Sequence, residues 1–254
     1  MEKKMEKEIT KNIVDEVAAL NRSDLFREPL VAFSSAEDPR YGELKSIIGE
    51  WHHHPKELLP EADGIISYFV PFTEEVAKEP NTTKDGSPLW GEAYVVINEY
   101  FNRINERVSS YIKEQGYKAA VIPATHTYSP EDLKSMWSHR SAAVIAGLGA
   151  FGANRLLITE KGSGGRFCTV LTSAPLKGEK EEDEVRCLYL KSGSCGLCSK
   201  VCPVNALDLD GGFRKFVCQD ELFRNQRLLE ISNGIYGADA CGKCISICPV
   251  AYLE

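Results

Sequence analysis

The chain has 254 residues, 43 % of them hydrophobic and 26 % charged, with a net charge of −7. That length allows one large domain or two unequal ones, and the composition is ordinary for a soluble globular protein. The acidic balance argues against nucleic acid as a partner, because phosphate contacts need clustered Lys and Arg. The N-terminal MEKKMEKEITKNIVDEV lacks the apolar core of a signal peptide. Runs such as GIISYFV are too short to span a bilayer, so no membrane partner is expected. The expectation is a cytoplasmic protein whose nine cysteines are not a disulfide framework.

The first part reads as alternating helix and strand, an α/β (α+β) pattern. Ile9, Ile13, Val17 and Leu20 share a helical face. LVAFS (30–34) and GIISYFV (64–70) read as buried strands. Between them, the three consecutive histidines of WHHHPKELLPEA cannot share one helix face, which predicts a solvated loop. EEVAKEPNTTKDGSPLWG reads as a surface loop. A long helix follows, with Ala93, Ile97, Tyr100, Ile104, Val108 and Tyr111 along one face and Gly116 as its C-terminal cap. KAAVIPA (118–124) reads as a strand. Ser129, Pro130 and Asp132 form a capping-box pattern that predicts a helix over about 130–147. NRLLITE and RFCTVLTSA read as two strands joined by KGSGG. The charged LKGEKEEDEV after Pro175 marks a boundary between a domain over 1–176 and a cysteine-rich domain over 177–254.

Gly147-Leu148-Gly149-Ala150-Phe151-Gly152 matches G-x-G-x-x-G. The dinucleotide reading needs a strand before the glycines and a helix after them. Here a predicted helix runs in and a strand runs out, so the reading is discounted. A helix end with a tight turn remains, or glycines that let a flat ligand approach the backbone.

Eight of the nine cysteines fall between Cys187 and Cys248. Cys195-x2-Cys198-x3-Cys202-Pro203 recurs as Cys241-x2-Cys244-x3-Cys248-Pro249. Each copy lacks the first cysteine of the bacterial ferredoxin run, having Ser192 and Ala238 there, and each has a cysteine further upstream, Cys187 or Cys218. Eight thiolates suit two [4Fe–4S] clusters, and in two-cluster ferredoxins the cysteine before proline ligates the other cluster. That rule assigns Cys187, Cys195, Cys198 and Cys248 to one cluster and Cys202, Cys218, Cys241 and Cys244 to the other. Zinc on the two C-x2-C pairs is the competitor. The stretch from Cys198 to Cys241 is far longer than the usual ribbon spacing of about 15–20, and zinc leaves Cys202, Cys248 and both prolines unexplained. Cys168 sits mid-strand and reads as a core residue.

The run SHRSAAVIAGLGAFGANRLLITEKGSGGRFCTVLTSAPL (138–176), followed by the paired cysteine motifs, resembles the epoxyqueuosine reductase and reductive dehalogenase superfamily. HPKELLPEADGIISYFVPF resembles that family's N-terminal segment. The resemblance implies a nitroreductase-like domain that binds a corrinoid (cobalamin) in base-off form, and a ferredoxin-like domain whose two [4Fe–4S] clusters feed it electrons. It implies corrinoid contacts at Ala146, Gly147, Gly149, Gly152 and Asn154, and at Arg166, Thr169 and Thr172. His139 and Arg140 lie about two helical turns before the glycines, within reach of corrin amides or a phosphate. It further implies an electron donor of ferredoxin or flavodoxin type.

Two departures shape the expected function. The epoxyqueuosine enzymes place an acidic proton donor shortly before the helix leading to AGLG. Here VIPATHTYSPEDL has no acid before Glu131 and Asp132, which leaves His126 or Tyr128 as donor. The tRNA-modifying members also continue into helical repeats, whereas this sequence ends six residues after Cys248. The expectation is therefore a corrinoid-dependent reductase of a small substrate rather than tRNA. A cobalamin-binding electron-transfer protein and a flavin-dependent reductase are the alternatives.

Overall fold

A computed structural model describes residues 2–125, 128–178, 184–210 and 212–254. Its elements run α1 (Glu2–Ala19), β1 (Leu30–Ser35), α2 (Pro39–Ile47), α3 (Pro55–Leu58), β2 (Gly64–Pro71), α4 (Glu74–Lys78), α5 (Pro88–Glu114) and β3 (Ala119–Val121). They continue with α6 (His139–Ile145), β4 (Gly149–Phe151), β5 (Leu157–Thr159), β6 (Gly165–Thr172), α7 (Leu188–Ser192), α8 (Leu197–Lys200), β7 (Leu207–Asp208), β8 (Gly212–Phe213), α9 (Lys215–Asn233) and α10 (Lys243–Ser246). Within this mixed α/β fold the main sheet has the order β1-β2-β6-β3, with every pairing antiparallel.

The sheet is covered on both faces. Strand side chains alternate, so Ile66, Tyr68, Val70, Cys168 and Val170 point to the apolar stripes of α1 and α5, while Ile65 and Leu171 point to α2 and α6. Met5, Ile9, Ile13 and Val17 form the buried stripe of α1. β2 is buried at every residue, as a central strand covered on both sides must be, whereas β1 is an edge strand and only half-buried. Cys168 is fully buried, and its sulfur accepts from Asn105 Nδ2 at 3.4 Å.

Four expected elements differ from those observed. The histidine segment is no solvated loop. His54 caps α3, its Nδ1 accepting from Lys56 N while Glu57 accepts from His54 N. His52 is buried, stacks on Trp137 at 5.6 Å and accepts from Ser138 N. The predicted surface loop after Phe72 contains α4, capped by Thr73, and a 3₁₀ turn over Glu79–Asn81. The Glu79 carboxylate then caps α5, accepting from Leu89 N and Trp90 N at 3.1 and 2.7 Å.

The predicted helix over 130–147 begins only at His139, with Ser138 as its cap. Ser129 donates to Glu131 rather than capping backbone, Tyr128 bridges Ser135, and Leu133 takes a positive φ of 53°. Tertiary contacts override the local pattern: the Trp137 ring is drawn into the core against Tyr41 and His52. NRLLITE and RFCTVLTSA also separate, since β5 pairs with β4 in a small hairpin while β6 joins the main sheet.

The cysteine-bearing segment packs on the first part through many contacts. Asn225 and Asp239 accept from Gly86 N and Tyr94 Oη. Lys243 Nζ donates to the Pro80 and Thr83 carbonyls, both at 2.8 Å. The final residues lie against the β5–β6 turn, where Ser163 N and Gly164 N donate to Ala251 O.

Candidate functional site

The cysteine repeat is also a structural repeat. In each copy a positive-φ glycine, Gly196 or Gly242, follows the first cysteine and opens a one-turn helix, α8 or α10, that carries the second. The third cysteine follows the helix. Cys187 caps the start of α7 and Cys218 lies in the first turn of α9.

The structure gathers these thiols into two groups of four. Cys187, Cys195, Cys198 and Cys248 line one small pocket together with Ala153, Asn154 and Pro249. Cys218, Cys241 and Cys244 each feel the charge of Cys202, and Cys218 and Cys244 that of Cys241, so these four also lie close together. The groups adjoin, because Cys198 also raises the pKa of Cys244. Burial pushes the thiol of Cys218 up to about 11 and that of Cys244 up to about 12, with neighbouring sulfurs adding. Positive charge from bound metal reverses that preference. Backbone N–H groups meet two of the sulfurs, Ala153 N at Cys187 and Ala206 N at Cys202, 3.4 and 3.1 Å away. Among the described residues, no three His, Cys, Asp or Glu side chains converge on a point where one metal ion would sit.

The glycine run leads from α6 into the first cysteine group. Gly147 has a φ of 85° and closes the helix, so helix precedes the glycines and the dinucleotide geometry is absent. Ala146, Gly149, Gly152 and Asn154 are buried. At Gly149 a Cβ would stand 2.2 Å from Ile158 O, so this glycine is required by the β4–β5 hairpin. Asn154 spans the two parts, donating to Cys244 O at 3.4 Å. The loop therefore touches both cysteine groups.

Beside it lies a set of polar side chains carried by α6, β6 and α5. His139 uses both ring nitrogens. Pro123 O is only an acceptor, so Nε2 donates to it at 3.0 Å and Nδ1 accepts from Thr169 Oγ1 at 2.8 Å. Thr169 in turn accepts from Trp137 Nε1 at 2.8 Å. The chain Trp137–Thr169–His139–Pro123 is complete with a neutral imidazole, leaving no lone pair for cobalt. Arg140 donates to Arg155 O and is solvent-exposed. Arg166 donates to Asn98 and lies 4.5 Å over the Tyr94 ring. Thr172 is not part of this set: it donates to Lys118 O and accepts from Ala174 N at the far end of β6. Tyr128 Oη accepts from Gln219 Nε2 at 2.8 Å, next to Cys218. His126 lies outside the described residues. Glu131 and Asp132 are engaged by Ser129 and Lys134.

The sequence reading missed Tyr94, Asn98 and Trp137. The available signal was a polar i, i+4 pair, Tyr94 and Asn98, beside the apolar face of the long helix.

Burial lowers the pKa of both His52 and His139 to about 4, against about 6.5 for a free imidazole. The unfolded chain therefore binds more protons between these values. Stability is full above about pH 6.5, falls as pH drops toward 4 and levels below it. The two rings together cost about 2–3 kcal/mol per pH unit within that window. Urea unfolding at stepped pH should show this slope, and a stability unchanged from pH 7 to pH 5 would contradict it.

No family model matches the chain, and no curated protein matches it. Solved structures do. An epoxyqueuosine reductase with a tRNA-Tyr epoxyqueuosine-modified stem loop is similar at a TM-score of 0.55 and 18 % identity, over 96 % of this chain and 66 % of that one. The epoxyqueuosine reductase of Streptococcus thermophilus gives 0.54 and 21 %, over 94 % and 65 %. The catabolic reductive dehalogenase NpRdhA in complex with 3-bromo-4-hydroxybenzoic acid gives 0.60 and 16 %, over 87 % and 30 %. The chain thus has the fold of these structures and spans about two thirds of the length of the epoxyqueuosine reductases.

Proposed function

We propose that this chain, which shares the fold of epoxyqueuosine reductase and reductive dehalogenase structures, is a corrinoid-dependent iron–sulfur reductase. The observation that carries the reading is the sorting of eight cysteines into two adjoining groups of four, each drawing its last member from the other repeat. On this reading Cys187, Cys195, Cys198 and Cys248 hold one [4Fe–4S] cluster and Cys202, Cys218, Cys241 and Cys244 the other. A single zinc ion takes four ligands and would leave half of the eight thiols unused. The cysteine-bearing segment, about 177–254, is the electron-entry domain and the remainder the corrinoid domain.

The residues that would hold a corrinoid are those of the glycine run with Asn154, His139, Arg140 and Arg166, and the corrinoid would supply low-potential reducing chemistry at cobalt. The residues around it hold and orient. Neutral His139, locked by Thr169 and Pro123, fixes the start of α6 and with it Arg140. The Ala153 and Ala206 N–H groups stabilise charge on cluster sulfurs, a lever on reduction potential. Tyr128, whose oxygen accepts from Gln219 Nε2, is the proposed proton donor. The net charge of −7 and the small aromatic acid bound by the dehalogenase support a small-molecule substrate, and a ferredoxin- or flavodoxin-like protein is the proposed donor. A cobalamin-binding electron carrier is the second reading. It is favoured by the exposed, already engaged Glu131 and Asp132, which leave the acidic proton-donor role unfilled among the described residues.

Metal analysis of anaerobically purified protein tests the cluster assignment. About eight irons and about eight labile sulfides per chain are expected. Stoichiometric zinc with little iron would contradict it.

A further inference from the structure

The two cysteine repeats differ in what stands three residues after the upstream cysteine. Cys187 begins α7 and Cys218 lies in the first turn of α9. Three residues on, the first repeat has Leu190, which is exposed, and the second has Glu221, which is buried. Within α9 a spacing of three makes Cys218 and Glu221 neighbours on one helix face.

A glutamate is seldom buried, because taking its charge out of water is costly, and thiolates alongside raise that cost. The compensation inside the protein is incomplete. Arg224 Nη1 and Asn225 Nδ2 both donate to Glu221 Oε1, at 3.1 and 3.0 Å. Arg224 is half-exposed and shares its charge with Asp85, to which its Nη2 donates. Two carboxylates thus face one guanidinium, so the triad keeps a net negative charge with Glu221 as its buried end. A purely structural role does not need that charge. Asn225, which also accepts from Gly86 N at 3.3 Å, could be held as well by a neutral amide at position 221.

The charge lies where it reaches one group of thiols. Burial holds the Cys218 and Cys241 thiols up, and the Glu221 charge adds to it at both. At Cys198 and Cys248, in the first group, the charges that add to burial are those of other cysteines. Backbone N–H groups meet sulfurs in both groups, so that influence does not separate them. Negative charge beside an iron–sulfur cluster disfavours the added electron of its reduced form. We infer that Glu221 selectively lowers the reduction potential of the cluster proposed on Cys202, Cys218, Cys241 and Cys244. The inference deepens the iron–sulfur reading and rests on it.

The test is a redox titration of the full, iron-loaded chain followed by electron paramagnetic resonance. Glu221→Gln keeps the shape and an oxygen for Asn225 but removes the charge. It should make reduction of one cluster about tenfold more favourable, a rise of about 59 mV for one electron, and leave the other nearly in place. Cys187→Ala and Cys218→Ala, each expected to keep one cluster, identify which. The shift should appear when Glu221→Gln is added to Cys187→Ala and be absent when it is added to Cys218→Ala. Arg224→Gln should move the same cluster the opposite way, because it strips Glu221 of its cation, and Glu221→Asp should restore part of the parent potential. Iron content and Tm check each variant, and Arg224→Gln decides alone should Glu221→Gln lose its cluster. Potentials unmoved at full iron content, or both clusters moved alike, overturn the inference while the iron–sulfur reading stands. A parent chain that takes up zinc and no iron brings down that reading and the inference with it.

Discussion

Cys187→Ala, purified and reconstituted without oxygen, should hold about four irons per chain where the parent holds about eight. Cys218→Ala should do the same, but lose the other cluster. Cys187 lines the pocket formed with Cys195, Cys198 and Cys248, whereas Cys218 lies in α9 beside Cys202 and Cys241. A thiolate is the ligand, and alanine offers neither charge nor lone pair, so the remaining three sulfurs cannot complete a four-cysteine site. Electron paramagnetic resonance of the reduced variants should each show one isolated cluster in place of the coupled pair. Cys168→Ala is the control. Its side chain is fully buried in β6 and is hydrogen-bonded to Asn105, so both clusters should remain. A full iron count in Cys187→Ala, or a lost cluster in Cys168→Ala, would contradict the assignment.

The second large effect is expected far from any thiol. Gly162 has a φ of 95°, and a Cβ there would stand 2.3 Å from Ala251 O and 2.6 Å from its carbonyl carbon. Ala251 O also accepts from Ser163 N and Gly164 N at 3.0 Å. Beside it Arg27 covers the Tyr252 ring at 4.3 Å and donates to Leu253 O at 2.6 Å. These contacts hold down the segment that follows Cys248. Gly162→Val combines a strained backbone, worth about 1–3 kcal/mol, with a clash against backbone that cannot move aside, so a loss of about 3–5 kcal/mol is expected. The segment should detach, and the cluster that needs Cys248 should be lost before the one that does not. Gly116→Ala provides the comparison: its φ is 85° but nothing lies within 4 Å of its would-be Cβ. It should cost about 1 kcal/mol and leave both clusters in place. Urea unfolding with iron analysis reads both variants, and equal behaviour of the two would refute the docking role of Gly162.

The legible parts of this chain were those governed by short-range rules. The α1 and α5 stripes and the central strand β2 follow from hydrophobic spacing alone. The two cysteine groups follow from spacing plus the ferredoxin crossover. What escaped was set by contacts distant in sequence. Trp137 looked helical because its neighbours repeat at helical spacing, but its ring is held by Tyr41 and His52, and the helix starts after it. His52 looked solvated because it sits in a run of three histidines, yet an imidazole stacked on an indole and accepting a backbone N–H is a satisfied core group. The segment over 74–90 looked like a loop because of its Pro, Asn and Gly content. Its short α4 and 3₁₀ turn form a seat for α10, with Lys78 O accepting from Ser246 and Pro80 O from Lys243. The resemblance grouped Thr172 with Arg166 and Thr169, and the structure shows Thr172 at the end of β6, bonded to Lys118 O.

The central claim is that two cysteine-held clusters serve a bound corrinoid. Titration of the anaerobic, iron-loaded protein with hydroxocobalamin, and separately with FMN, tests it most directly. The account predicts uptake of about one corrinoid per chain, seen as a shift in the corrinoid absorption bands, with no stoichiometric uptake of FMN. Binding of FMN with no corrinoid uptake would contradict it.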